Sequence, residues 1–176
     1  MSTKVILVDK ADKKIGLEEK IKAHLRGKLH RAFSVFIFNK KGELLIQKRA
    51  KSKYHSGGLW ANTCCSHPRP GENLKKTAKS RLKEEMGIYP SLKEVFSLVY
   101  KAKVGNLIEY EFDHIFFGRF DGEPKPNKKE VEDWKWISLE ELKRDIKENP
   151  EKYAAWFKII LKKTKIKRMI RNYAFK

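Results

Sequence analysis

The chain has 176 residues, enough for one domain with a real core, and a formal net charge of +19 from 41 Lys and Arg against 22 Asp and Glu. Its two cysteines, Cys64 and Cys65, are adjacent and have no third partner, which excludes a disulfide-stapled scaffold and predicts free thiols in a reducing compartment. The amino end, Met1 to Val5, lacks a basic-then-apolar signal, and no apolar run reaches membrane-spanning length, so the expectation is a cytoplasmic protein without stable membrane insertion.

Residues 3–9 predict a short strand through Val5, Ile6, Leu7 and Val8, followed by a polar turn. The stretch from Glu18 to His24 reads as helix or turn and carries Lys20 and His24. Arg31 to Phe38 is rich in aromatic and β-branched residues and reads as a buried strand; Gly42 supplies a turn, and Leu44 to Arg49 returns as the partner of a hairpin. A loop from Ala50 to Leu59, with Lys53 and a glycine pair read as flexible, leads into Trp60-Ala61-Asn62-Thr63-Cys64-Cys65-Ser66-His67-Pro68. If that stretch is extended, alternation puts Cys65 and His67 on one face and Cys64 and Ser66 on the other.

Leu74, Ala78, Leu82 and Met86 fall at steps of four and predict a helix with one buried stripe, ended by Gly87; Arg81 and Glu85 lie beside the stripe and can reach one site together. Val95 to Lys103 and Leu107 to Phe120 predict two strands about a Gly105-Asn106 turn, and Glu109, Glu111 and Asp113 share one face of the second. A row of three acids repels itself, and is tolerated where the face is wet or a cation sits over it. A strand with Trp134 and Trp136 follows, then a capping box from Ser138 to Glu141. After Asn149-Pro150 a last helix carries Tyr153, Trp156, Phe157, Ile160 and Leu161 and runs into a basic, amphipathic helical tail over residues 162–176. The whole chain reads as one domain, without repeats.

Three histidines, His24, His30 and His67, together with Glu109 and Glu111, make a candidate site for one divalent metal, since nitrogen and oxygen donors without thiolate suit Mn, Mg, Zn or Fe. His55 and His114 are assigned structural or surface roles. Cys65 stands out over Cys64 by sharing its face with His67. The basic residues are not confined to one stripe and lack an aromatic-basic recognition motif, so an RNA-binding module is the weaker reading and no nucleic-acid partner is expected.

The run Leu29-His30-Arg31-Ala32-Phe33-Ser34, then Gln47-Lys48-Arg49-Ala50 with Lys53, the Trp60-to-Pro68 stretch, Arg81 with Glu84-Glu85-Met86-Gly87, and Glu109-Tyr110-Glu111 closely resembles the type I isopentenyl-diphosphate Δ-isomerases over roughly residues 5–160. That family belongs to the Nudix superfamily, so the resemblance implies a single α/β domain, an α/β/α sandwich with a mixed sheet. It implies an isomerase of isoprenoid biosynthesis acting on a small-molecule diphosphate, with a monomer expected. It implies one metal, Mn or Mg and sometimes Zn, at His24, His30, His67, Glu109 and Glu111, and a Mg at Glu85 shared with the substrate diphosphate. Lys20, Arg49, Lys53, Ser66 and Arg81 match diphosphate contacts; Cys65 and Glu111 match the acid/base pair, Tyr100 a helper on the protonation side, and Trp156 the aromatic face. The chain departs from the family pattern at Tyr153-Ala154-Ala155, where a Ser/Thr-Pro is expected. The nearest rival, a Nudix pyrophosphohydrolase, carries an Arg-Glu pair where this chain has Ser80-Arg81, and so one ligand carboxylate more.

Overall fold

The computed structural model describes residues 4–53 and 55–174. In chain order they form β1 (Lys4–Val8), β2 (Lys14–Glu19), α1 (Lys20–Leu25), β3 (His30–Phe38), β4 (Leu44–Arg49), β5 (Trp60–Ala61), β6 (Cys64–Ser66), α2 (Leu74–Met86), β7 (Leu92–Val104), β8 (Leu107–Arg119), β9 (Val131–Ile137), α3 (Leu139–Glu148), α4 (Ala155–Lys162) and α5 (Thr164–Ala174). The described strands join in one mixed sheet in which β3 runs parallel to β8 from His30 opposite Glu111 to Phe38 opposite Arg119.

The strand β3 is buried on both faces, which is why its sequence is almost continuously apolar rather than alternating. On one side Phe33, Val35 and Ile37 pack with Ala78, Leu82 and Met86 of α2; on the other Phe36 and Phe38 pack with Trp156, Phe157 and Ile160 of α4 and Ile166 and Ile170 of α5. Helix, sheet and helix thus form the three layers expected. The α2 bounds follow the stripe, with the Asn73 side chain accepting from Lys76 N–H at its start and Gly87 taking the left-handed backbone (φ 68°) at its end.

The expected hairpin of β3 and β4 holds only at its closed end, where Ile37 pairs with Leu45 and Phe38 with Leu44. Beyond that the strands splay, and β6 takes over the edge of β3 through Phe33–Ser66, Ser34–Cys65 and Val35–Cys64. Backbone groups released by the splay are satisfied by side chains of the central stretch. Thr63 Oγ1 accepts from Ile37 N–H at 3.0 Å and donates to Leu45 O at 2.6 Å, while Asn62 Nδ2 donates to Val35 O at 3.2 Å. Asn62 and Thr63 are therefore what wedges the cysteine strand into the sheet.

Two other elements differ from expectation. The polar turn after β1 contains a strand, β2, whose alternation is masked because Ile15 and Leu17 point to solvent on a sheet edge. The last helix is two helices, because Lys163 takes an extended backbone (ψ 119°) between α4 and α5. The basic tail docks on the core, with Ile166 and Ile170 buried; residues 175–176 of that tail lie outside the described residues. The capping box at Ser138 is complete in both directions.

Candidate active site

Strand register builds the centre of the site. The parallel pairing of β3 sets His30 beside Glu111, and the antiparallel pairing of β7 sets Tyr100 beside it on the other side. Tyr100 Oη donates to Glu111 Oε2 at 2.6 Å, and His67 Nε2 lies 2.9 Å from Glu111 Oε1. The Nε2 atoms of His30 and His24 lie 3.6 and 4.0 Å from the same oxygen. Backbone carbonyls orient two of the rings, Lys20 O on His24 Nδ1 and Lys28 O on His30 Nδ1, each at 2.8 Å. A carbonyl only accepts, so each Nδ1 carries a proton toward it, which leaves each Nε2 facing Glu111.

The donor atoms of His24, His30, His67 and Glu111 lie within 4.8 Å of one another, a set that fits one divalent ion bound through nitrogen and oxygen. Glu109 is buried but stands outside that group, with Oε1 at 3.4 Å from His55 Nδ1. The structure thus gathers four of the five expected metal ligands and gives the fifth a histidine neighbour that sequence reasoning had set aside.

The row of acids resolves its repulsion by protonation. Burial pushes the Glu109 carboxyl up to about 9, with the Glu111 charge adding to it. Burial also raises Asp113, which accepts from Ser34 Oγ at 2.8 Å. Burial works the same way on Glu111, but His67 and His30 outweigh it and hold that carboxyl well below its usual range. One charge in three survives, and it is the one the imidazoles face.

Around this centre a pocket is lined by Lys20, Arg49, Lys53, Ser66 and Arg81, together with Cys65, Tyr100, Glu85 and Trp156. All the expected diphosphate contacts therefore reach one cavity. Glu85 is buried at its floor, accepting from Arg81 at 2.6 Å and from Gln47 Nε2 at 3.1 Å. Glu130, which no sequence argument singled out, forms an ion pair with Lys53 and lies 3.4 Å from Arg81. It holds two of the cations together where they converge on the pocket, and its only sequence signal is a charged residue beside a Pro-rich loop.

Trp156 is 3 % exposed and belongs to the pocket wall as well as the core. Its Nε1 donates to Asn62 Oδ1 at 3.0 Å, and the Arg49 guanidinium lies over the ring, 5.2 Å from its centroid. The departure at Tyr153-Ala154-Ala155 leaves it well anchored, because Ala154 N–H donates to Trp60 O at 2.9 Å and Tyr153 is buried. Both ends of the Trp60-to-Pro68 stretch thus bear on this site.

The two cysteines separate as alternation predicts, Cys64 into the α2 core and Cys65 into the pocket. Burial pushes the Cys65 thiol up to about 12, against the opposing charge of Arg49 and with help from Glu85 and Glu111. Since the thiolate is the reactive form, iodoacetamide at pH 8 should alkylate Cys65 about a thousandfold more slowly in the folded, metal-free protein than in denaturant. Peptide mass spectrometry of a time course reads this; native and denatured rates within tenfold of each other would show that the thiol is not held protonated.

A family model of the NUDIX domain matches residues 28–157. A protein of Aromatoleum aromaticum named isopentenyl-diphosphate Delta-isomerase 1 is 57% identical over 157 residues, covering 89% of this chain and 89% of that one. The chain belongs to the isopentenyl-diphosphate Delta-isomerase family of the Nudix superfamily. A relative of the same name from Serratia proteamaculans is 50% identical over 163 residues, covering 92% and 91% of the two chains. Among solved structures, a protein of Deinococcus radiodurans superposes with a TM-score of 0.72 at 18% identity, covering 96% of this chain and 98% of its own. The MutT protein of Methanosarcina mazei gives 0.64 at 19% identity, with 84% and 96% covered. These likenesses are of fold alone. Within the isomerase family frame, the residues missed by sequence reasoning are His55, Glu130 and Asn62, all polar and all placed by contacts remote in the chain.

Proposed function

We propose that this protein isomerises isopentenyl diphosphate to dimethylallyl diphosphate, acting as a cytoplasmic monomer on a small-molecule diphosphate and without a nucleic-acid partner. The observation that carries the reading is one pocket holding Cys65, a Tyr100-bonded Glu111, an aromatic wall and a set of cations. Lys20, Arg49, Lys53, Ser66 and Arg81 bind the diphosphate, with guanidinium forks and ammonium points both suited to phosphate oxygens. His24, His30, His67 and Glu111, with Glu109 closing in, would hold Mn, Mg or Zn, and Glu85 a Mg; such ions would fix the Glu111 carboxylate and neutralise diphosphate charge.

Moving the double bond requires a proton added to the terminal methylene carbon and another removed from the carbon on the far side of the branch, through a tertiary carbocation. Glu111, hydrogen-bonded to Tyr100, gives the first proton, and Cys65 takes the second. The Trp156 face stabilises the cation once water is excluded. Protons balance as follows: turnover starts with Glu111 protonated and Cys65 a thiolate, and ends with Glu111 ionised and Cys65 a thiol. The end state matches the charges that the protein groups alone favour, so a proton returns from Cys65 to Glu111 before the next forward turnover.

The test is incubation with isopentenyl diphosphate and Mg in deuterated water. Dimethylallyl diphosphate carrying deuterium in a methyl group, absent with Cys65→Ala, is the expected result. Release of phosphate or pyrophosphate instead would point to a Nudix hydrolase and sink the reading.

A further inference from the structure

We propose that His55 is the wall that limits the length of hydrocarbon this pocket accepts. The proposal rests on the isomerase reading for its substrate class and deepens it. His55 lines the catalytic pocket and also a second, shallow cleft with Ile21, Val104 and Leu107, and it is the one described residue common to both. Its ring stands edge-on to Trp156, centroids 5.7 Å apart and planes at 87°, so it closes the aromatic side of the slot where the hydrocarbon must lie. Beyond it the surface is largely apolar and would welcome further methylenes.

A wall must be rigid to exclude, and the loop that carries His55 is tied down. Arg49 N–H donates to Leu59 O and Gly58 N–H to Arg49 O, each at 2.9 Å, while Lys53 N–H donates to Ala50 O at 3.1 Å. Gly57 is required by close approach rather than for flexibility, since a Cβ there would lie 2.6 Å from Lys51 O, and Ser56 holds a left-handed backbone at φ 51°. The His55 side chain is in turn held by Glu109, 3.4 Å from Nδ1, and its carbonyl accepts from Arg49 at 3.3 Å. The same arginine that packs on Trp156 thus braces the residue opposite it.

The diphosphate cations fix one end of any ligand, so chain length is measured from them to His55. Saturated n-alkyl diphosphates from propyl to decyl, which bind without reacting, probe this as competitive inhibitors or in direct calorimetry. In the wild type, affinity should rise about fourfold per methylene up to a chain near that of the substrate and then stop rising or fall. In His55→Ala the rise should continue, with decyl diphosphate gaining at least about tenfold over wild type, and His55→Phe should restore the cut-off. Turnover should follow: an isopentenyl diphosphate homologue with its methyl branch lengthened to butyl should improve relative to the natural substrate in His55→Ala.

A wild-type affinity that keeps rising about fourfold per methylene from pentyl to decyl diphosphate would overturn the proposal, and so would an unchanged cut-off in a folded His55→Ala. The wild-type series decides even if that variant fails to fold. Because the series needs no turnover, it also separates the two readings: absence of deuterated product from the wild type refutes the isomerase, whereas a missing length cut-off refutes the wall.

Discussion

Glu111→Gln is expected to lower kcat by at least about a thousandfold in a protein that still folds, measured as deuterium incorporation into dimethylallyl diphosphate. The size follows from how many jobs converge on one carboxylate. As an acid/base it alone faces both Tyr100 and the three imidazoles. An amide keeps the shape and can still accept from Tyr100, but it carries no transferable proton and no charge to help hold a cation. Metal content after dialysis should therefore fall along with kcat, which Cys65→Ala would not cause. Tyr100→Phe, which removes a hydrogen bond and leaves the carboxylate, should cost far less, on the order of tenfold. A Glu111→Gln protein with a tenth or more of wild-type kcat would remove Glu111 from the proton-transfer role.

That Glu111 meets His30 could not be read from local pattern. Alternation in β8 put Glu109, Glu111 and Asp113 on one face, and alternation in β6 separated Cys65 from Cys64, because side-chain direction is a local property of an extended backbone. The α2 stripe and its glycine stop were legible for the same reason. What joins the strands is register between segments about eighty residues apart, and a resemblance to a known family supplied that link where periodicity had none. Even so, family likeness placed Glu109 in the metal set, whereas the folded chain turns it toward His55. The splay between β3 and β4 was hidden because its cause is a side-chain substitution for backbone bonds by Asn62 and Thr63, residues that read as ordinary loop polars. His55 and Glu130 stayed hidden because each owes its role to a loop conformation, which carries little hydrophobic period to read.

The placement of Glu109 makes the stability of the metal-free protein pH-dependent in two directions. For His67 and His55, burial lowers the imidazoles from 6.5 to about 3. A depressed value in the folded state means that the unfolded chain binds more protons between those limits. Their contribution is present above about pH 6.5 and is lost as pH falls toward 3. Glu109 has the opposite sign: its carboxyl is raised from 4.5 to about 9, so its contribution is present below 4.5 and is lost as pH rises toward 9. Above 6.5 the two histidines no longer change protonation in either state, and Glu109 acts against stability without their opposition. Each group contributes a slope of at most about 1.4 kcal/mol per pH unit, so from pH 6.5 to 9 the Glu109 loss is bounded at ~3 kcal/mol, or roughly 6–12 °C in Tm for a chain of this size. Glu109→Gln in the metal-free protein should leave the acid limb and the share due to the raised Asp113 carboxyl and remove the Glu109 share of the alkaline decline. Saturating Mn or Mg should also remove it in the wild type, because the carboxylate that forms at high pH then has a cation to bind, and binding to the folded state alone adds stability. Calorimetric scans of chelator-treated wild type and Glu109→Gln across pH 5 to 9 read both limbs. If the difference between the two proteins stays flat from pH 6.5 to 9, Glu109 is ionised in the empty site, and it would stand ready for the metal without giving up a proton.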